Sequence, residues 1–391
     1  MNDLFTPAYD QWRRRALIAG AAALALCLIG AFVNPAQFFR AYLIGFLFWF
    51  GIGLGCLAIL MLQNLAGGAW GLVIERVLEA GSRTLPLLAV LFLPLLFGLS
   101  SLYLWANPQA VAASHLLQHK APYLNPPFFM ARALFLFAIW TALAILMSRW
   151  SAEHDRTGDP LFLEKMRRLS GPGLLIYVAT LTVAAIDWVM SMQPMWYSTG
   201  FGLIFVTAQG LATMAFVLIV LTFLSKRAPL SDFVHDQHFI DLGNLLLMFV
   251  MLWSYISFAQ FLIIWSGNIP EEVIWYMPRT SGGWTLVAIA LIVFHFAVPF
   301  VLLLMRTVKR RAARIRRLAI FLLVMRWVDT VWLVEPPFHP LGFSLSWMDI
   351  AAPVGIGGIW LWYFLGQLAA RPVLPLRVPA GAGVLTPAEE T

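Results

Sequence analysis

Long apolar runs recur along the whole chain, and they constrain its fold more than any other feature. Ten of them have about the length of helix that crosses ~30 Å of hydrocarbon at ~1.5 Å per residue. They lie at approximately 16–33, 38–63, 84–104, 127–148, 172–192, 200–224, 238–266, 283–305, 314–334 and 347–369. Of the 391 residues, 61% are hydrophobic and only 12% are charged, which is too apolar a composition for a water-soluble fold. We therefore predict an all-α polytopic membrane protein, with residues 1–391 forming one integral membrane domain.

The 26 Lys and Arg residues predict how these helices are oriented. If the N-terminus is inside, only three of them lie in outer loops: Arg40, Lys120 and Arg279. The other basic loop residues, including Arg371 and Arg377 near the C-terminus, then face the cytoplasm. Both termini are therefore predicted to be cytoplasmic. The basic run at 306–317 is interpreted as an anchor at the lipid surface and not as a nucleic-acid site.

A few ionisable residues lie within the predicted spans, where each costs about 2.5–3.5 kcal/mol at the bilayer centre. His295 is at the middle of the span 283–305, and Arg326 and Asp329 share one face of the span 314–334. Arg326 and Asp329 are interpreted either as a structural ion pair or as proton carriers. His295 is either a hydrogen-bonded packing residue or, with a neighbouring carboxylate, part of a proton relay.

Cofactor ligands are sparse in this sequence. The two cysteines, Cys27 and Cys56, both lie in apolar runs, and the six histidines other than His295 lie in loops or near span ends. We therefore expect no metal site, no iron–sulfur cluster and no pair of axial haem ligands on facing helices. No soluble catalytic motif is present, so no catalytic residue is assigned.

Residues 67–83 have an amphipathic helical pattern and are expected to form a helix along the cytoplasmic surface. Its charged side is expected to be solvated, with Glu79 and Arg83 paired at i,i+4. The alternative interpretation is that Glu75 or Glu79 collects protons at the mouth of a path.

The stretch 251–279 carries a polar stripe inside an apolar span. Ser254, Ser257 and Gln260 are spaced by three residues and share one side of a helix, which then leaves the apolar region at Glu271 and Glu272. Because polar groups in hydrocarbon need partners, the stripe is either a contact between helices or the lining of a ligand pocket or proton path.

Several stretches together resemble a known family. They are DWVMSMQPMWYST at 187–199, QFLIIWSGNIPEE at 260–272, FHFAVPF at 294–300, GGAW at 67–70 and RWVD at 326–329. They are similar to blocks of the polysulfide-reductase (NrfD)-like membrane family, and most similar to the ActF-type subunits of bacterial alternative complex III, a quinol:cytochrome c oxidoreductase. The resemblance covers approximately residues 15–370 and includes the type described as quinone-binding subunit 2.

This resemblance implies an architecture and a set of partners. Two four-helix bundles would occupy 38–192 and 200–334, with helices 16–33 and 347–369 at the periphery. The subunit would lie in the bacterial inner membrane with iron–sulfur and multi-haem cytochrome c subunits that carry the electrons. It would hold no covalently bound cofactor, and its ligand would be quinone or menaquinone. For ActF-type subunits the resemblance implies assembly and proton conduction, whereas the quinol site is better supported in the related ActC type.

Candidate site residues follow from this chemistry. A quinone head needs hydrogen-bond partners and a proton acceptor at the wet edge of an apolar pocket, which Asp187, Gln260, Glu271 and Glu272 could supply. The candidates for a proton path are Glu75, Glu79, Asp241, His295, Arg326 and Asp329. A secondary transporter and a purely structural membrane subunit are the alternative functions.

Overall fold

The computed structural model describes residues 7–228, 230–340 and 342–374. Every regular element in these ranges is a helix, which confirms the predicted all-α class. In the same ranges, nine candidate spans are long and apolar enough to cross a membrane. Arg377, which contributed to the predicted orientation, lies outside the described residues.

The principal helices have the following bounds. They are α1 (Pro7–Val33), α2 (Pro35–Ala66), α3 (Glu75–Ser82), α4 (Leu85–Phe97), α5 (Pro126–Thr157), α6 (Pro160–Trp188), α7 (Phe201–Leu224), α8 (Asp236–Gly267), α9 (Trp284–Leu304), α10 (Ala312–Val334) and α11 (Met348–Ala369). Short helical segments connect them at Ala69–Leu72, Leu99–Leu102, Leu104–Ala106, Pro108–Ala112, His115–Lys120, Met190–Met192, Leu230–Phe233, Pro270–Val273, Arg306–Lys309 and Pro336–Phe338.

The nine candidate spans and the ten predicted ones differ at α10. Helices α3 and α4 together count as one span, and α10 is not among the nine. Helix α10 nevertheless has 23 residues, or about 35 Å at ~1.5 Å per residue, which is enough to cross the hydrocarbon. Arg326 and Asp329 interrupt its apolar run, and both are buried inside the protein.

Three long helices begin with the same local chemistry. Asn34, Asn125 and Asp159 each precede a proline, and each side chain accepts a hydrogen bond from a backbone N–H of the first turn. Proline at the first helical position loses no hydrogen bond, and the capping oxygen satisfies a backbone donor that has no partner within the helix. Asn-Pro and Asp-Pro therefore mark the starts of α2, α5 and α6.

Helices α2 and α7 form the centre of the molecule, and most of their residues are buried. In the first group of helices, α4 and α6 pack against α2, and α5 packs against α4 and α6. In the second group, α8 and α10 pack against α7, and α9 packs against α8 and α10. Helix α1 packs along α11, and α11 in turn packs against α2. A Cβ on Gly55 would lie 2.1 Å from Oγ1 of Thr213 on α7, so this glycine allows α2 and α7 to approach closely.

The prediction of a solvated surface helix at 67–83 was wrong. Arg76 and Glu79 on α3 are only 3% and 1% exposed. Glu79 pairs with Arg76 and not with Arg83, whose Nε donates to the Glu79 backbone carbonyl. The amphipathic pattern identified the apolar side of the helix, but partners from α5 and from the segment after α11 cover its charged side.

Candidate functional site

The candidate site is centred on His295, which a local distortion of α9 holds inside the second group of helices. Residues Leu291–Ala297 form a π-helical segment, and the α-helix resumes at Val298. Pro299 follows at once; it has no N–H to bond the His295 carbonyl, and its ring would crowd that carbonyl in a regular α-helix. The wider π turn relieves this conflict, and such turns are frequent at functional sites.

His295 is fully buried against α8 and near α10. Its imidazole lies edge-on to the indole of Trp253, with ring centroids 4.4 Å apart and planes at 85°. The Arg326 guanidinium is close enough to interact with it electrostatically. Neither ring nitrogen of His295 has a hydrogen-bond partner among the described residues. A buried polar group without a partner is costly, and such a group in a native structure needs an explanation.

Arg326 and Asp329 complete the cluster from one face of α10. Their side chains form an i,i+3 ion pair and are only 7% and 4% exposed. The Trp253 indole nitrogen also lies near the Asp329 carboxylate, but not in the geometry of a hydrogen bond. The structure therefore brings together three sequence candidates, His295, Arg326 and Asp329, and adds Trp253. The cluster can hold and pass a proton: the imidazole can bind one at either nitrogen, and the carboxylate can accept one.

Asp241, the fourth candidate on this side of the molecule, lies near the start of α8. Its carboxylate accepts a hydrogen bond from Gln237 at 2.8 Å. It precedes Trp253 by 12 residues, which is about 18 Å along the helix. Between the two, Asn244 accepts a hydrogen bond from Nζ of the buried Lys309 at 2.5 Å. Asp241 can therefore serve only as a distant end of a path to His295.

Glu75 and Glu79 belong to a separate buried network at one end of α3. Arg76 contacts Glu79 at 2.8 Å and Asp155 at 2.5 Å, and Arg371 contacts Glu79 at 3.2 Å. Glu75 is half-buried beside them. Among the described residues no hydrogen bond or ion pair connects this network to the His295 cluster.

The four candidates for a quinone site lie on three helical segments. Asp187 on α6 is neutralised by Arg132, whose Nε and Nη2 donate to its two oxygens at 2.7 and 3.2 Å. Gln260 on α8 contacts Ser198 at 3.4 Å, and its Nε2 has no partner. Glu271 is exposed and Glu272 half-buried, both in the short helix after α8. Within the described ranges no hydrogen bond or ion pair connects Asp187 to the other three.

A largely apolar cavity of about 270 Å³ opens beside the end of α8. Phe261, Trp265, Asn268 and Tyr276 are among its lining residues, whereas Gln260 and Glu272 are not. Asn268 closes α8 in the left-handed conformation, with φ of 45°, and turns the chain towards Pro270. The chain thus leaves the apolar region, shortly before Glu271 and Glu272, at one residue with positive φ, a conformation that asparagine tolerates.

Two features of the site were missed from sequence. Trp253 lies seven residues before Gln260, so both are on one side of α8, and this spacing could have identified it. The pairing of Arg132 with Asp187 joins α5 and α6 over 55 positions and left no local signal in the sequence. Among the described residues, no cluster of three or more His, Cys, Asp or Glu side chains could hold a metal ion.

No protein-family model and no curated protein matches the chain. On its own structure, the chain is a multi-pass helical membrane protein with a buried cluster of ionisable side chains in its second group of helices.

Proposed function

We propose that this chain is a proton-conducting membrane subunit of a quinol:cytochrome c oxidoreductase of the alternative complex III type. It would lie in a bacterial inner membrane with both termini in the cytoplasm. Iron–sulfur and multi-haem cytochrome c partner subunits would carry the electrons.

The observation that supports this proposal most is the buried cluster of Trp253, His295, Arg326 and Asp329. His295 belongs to the stretch 294–300 and the ion pair to the stretch 326–329, two of the blocks that resemble the family. These blocks are more than twenty residues apart in sequence, yet the fold brings Arg326 close enough to His295 for an electrostatic interaction. A helix bundle that needed only packing would gain nothing from an unpartnered imidazole at this position.

The chemistry of the cluster suits proton transfer. A neutral imidazole can take a proton at one nitrogen and release another from the opposite nitrogen. The Trp253 indole contacts the His295 ring and lies near the Asp329 carboxylate, so Asp329 is the acid of the cluster that could accept a proton from His295.

Quinone or menaquinone binding is a further part of the proposal. For this role Gln260 is a better candidate than Asp187. Gln260 has a free amide nitrogen and lies next to Phe261, which lines the apolar cavity. Asp187 is already bound by Arg132 on both oxygens, which leaves it a poorer partner for a quinone head. Replacing Gln260 with alanine should therefore weaken quinone binding more than replacing Glu271 with glutamine does, as measured by quinone-analogue titration.

Membership in the complex is tested by purifying the tagged protein from its native membranes in mild detergent. Co-purification of iron–sulfur and multi-haem chains, with a colourless isolated chain, is expected. A lone, monodisperse protein with uptake activity for an ion or solute would favour a secondary transporter instead.

The proton role is tested in the purified complex, reconstituted into vesicles. His295→Leu and Asp329→Asn should lower the number of protons moved per electron while the complex still assembles. His119→Gln is the matched control, because His119 is exposed in a loop helix. An unchanged proton-to-electron ratio in both variants would remove them from the path and favour a structural role.

A further inference from the structure

A second buried cluster lies at the end of α10 that is opposite the basic run 306–317. Glu335 directly follows α10, and Asp349 is the second residue of α11. Both are 0% exposed. Gln37 of α2 lies between them, with its Nε2 at 2.8 Å from Oδ1 of Asp349 and 3.5 Å from Oε1 of Glu335. One amide nitrogen thus contacts two buried carboxyl groups, which three separate parts of the fold bring together.

The cluster contains one permanently charged cation, the Arg40 guanidinium. Nη1 of Arg40 lies 3.6 Å from Oε2 of Glu335 and 3.0 Å from Nε2 of His339. An arginine can only donate, so Nε2 of His339 must accept this hydrogen bond, and the ring is neutral. Burial and the Arg40 charge also lower the pKa of His339, which agrees with a neutral ring.

The remaining neighbours supply no second positive charge, so one of the two carboxylates has no counter-charge. The backbone N–H of Ser346 donates to Oδ2 of Asp349 at 2.7 Å, and the buried thiol of Cys27 on α1 is close enough to interact electrostatically with the same carboxyl group. Oε2 of Glu335 has no hydrogen-bond partner. With both acids ionised the buried cluster would carry a net charge of −1, and one bound proton would neutralise it.

We propose that the pair Glu335 and Asp349 binds one proton, carried by Glu335, and forms a proton-binding site distinct from the His295 cluster. The site is a property of this chain and needs neither quinol oxidation nor a partner subunit. Burial, together with the charge of Asp349, raises the pKa of Glu335 to about 8, although Arg40 and Gln37 oppose this rise. The proton is therefore held at neutral pH and lost when the pH rises above this value.

The geometry also explains how the proton would be accommodated. Protonation at Oε2 would convert an oxygen that has no hydrogen-bond donor into a neutral hydroxyl, and it would remove one of the two buried negative charges. Gln37 then keeps its short hydrogen bond to Asp349, which stays ionised with a second bond from Ser346.

The test is an infrared pH titration of the full-length protein in lipid nanodiscs. The wild type should show the C=O stretching band of a protonated carboxyl group, which disappears as the pH rises through about 8. Glu335→Gln should remove this band. Asp349→Asn should move its loss to lower pH, because Glu335 then faces Arg40 without a competing negative charge. Glu272→Gln, at a half-buried acid beyond α8, is the control and should leave the titration unchanged.

Two results would overturn the proposal. One is a wild-type protein without a carboxyl band that titrates in this range. The other is a band that titrates identically in the wild type and in Asp349→Asn. Both results are read from the wild type and Asp349→Asn, so the test remains decisive even if Glu335→Gln does not fold.

Discussion

The strongest quantitative prediction concerns the ion pair between Arg326 and Asp329. The perturbation is a double-mutant cycle made of Arg326→Met, Asp329→Leu and the double variant. Each replacement keeps the approximate size of the side chain and removes its charge. Because the two groups are only 7% and 4% exposed, either single change leaves the other charge buried without a partner.

The expected magnitudes follow from this burial. Breaking a buried pair by removing one partner costs about 3–5 kcal/mol, whereas replacing both by apolar residues is often neutral or stabilising by about 1–4 kcal/mol. Two single costs of at least about 3 kcal/mol and a double variant close to the wild type give a coupling free energy of about 6 kcal/mol or more.

The assay is equilibrium unfolding in mixed micelles, with Arg168 and Glu164 as the reference pair. Their side chains are 79% and 55% exposed at i,i+4 on α6, so their coupling should be only about 0.3–0.5 kcal/mol. The stable double variant is then reconstituted for proton measurements. Loss of proton movement at near-normal stability would separate the functional role of the pair from its structural role.

A coupling below about 1 kcal/mol at Arg326–Asp329 would refute this reasoning. It would mean that solvent or lipid headgroups reach both charges, and that the pair is no more desolvated than one on the surface. The conclusion that the His295 cluster lies in a desolvated interior would then be wrong.

Three further predictions concern the other buried charges. Glu79→Gln removes a carboxylate held by two guanidinium groups and should cost about 3 kcal/mol of stability, seen as a lower thermal midpoint that Glu153→Gln does not share. Arg132→Lys loses the two-point contact with Asp187 and the packing on a tyrosine ring, and should cost about 1–2 kcal/mol by the same measurement. The raised pKa of Glu335 stabilises the fold fully below pH 4.5, and this contribution is lost as the pH rises to about 8. Thermal midpoints measured across this range should fall in the wild type and fall less in Glu335→Gln; equal slopes would contradict the prediction.

The positions of the long helices could be predicted well from the sequence, but not all of their ends. The runs 127–148 and 172–192 became α5 and α6, which extend to Thr157 and begin at Pro160. Hydropathy places the limit of a span where charged residues begin, but exposed charged residues do not end a helix. Only Gly158, in the left-handed conformation, and the capping residue Asp159 separate the two helices.

The sequence also predicted which ionisable side chains would lie within the membrane spans, but not which groups would surround them. His295, Arg326 and Asp329 were identifiable because ionisable groups in apolar runs are costly. Glu335 and Asp349 gave a weaker signal, because they lie at the ends of apolar runs, where a charge is ordinarily solvated. The structure buries both, since α1, α2 and the loop at His339 cover them.

The sequence by itself determined that the chain is a bundle of membrane-spanning helices, because so long and so repeated an apolar pattern has no other way to satisfy its backbone in lipid. Only the tertiary structure decided which ionisable groups have a buried partner and which have none. Arg76 and Glu79, expected in water, are buried with partners from α5 and from the segment after α11, while His295 is buried without a hydrogen-bond partner. Partners of this kind come from helices far apart in sequence, so a local pattern can reveal the cost of a buried charge but not the group that compensates it.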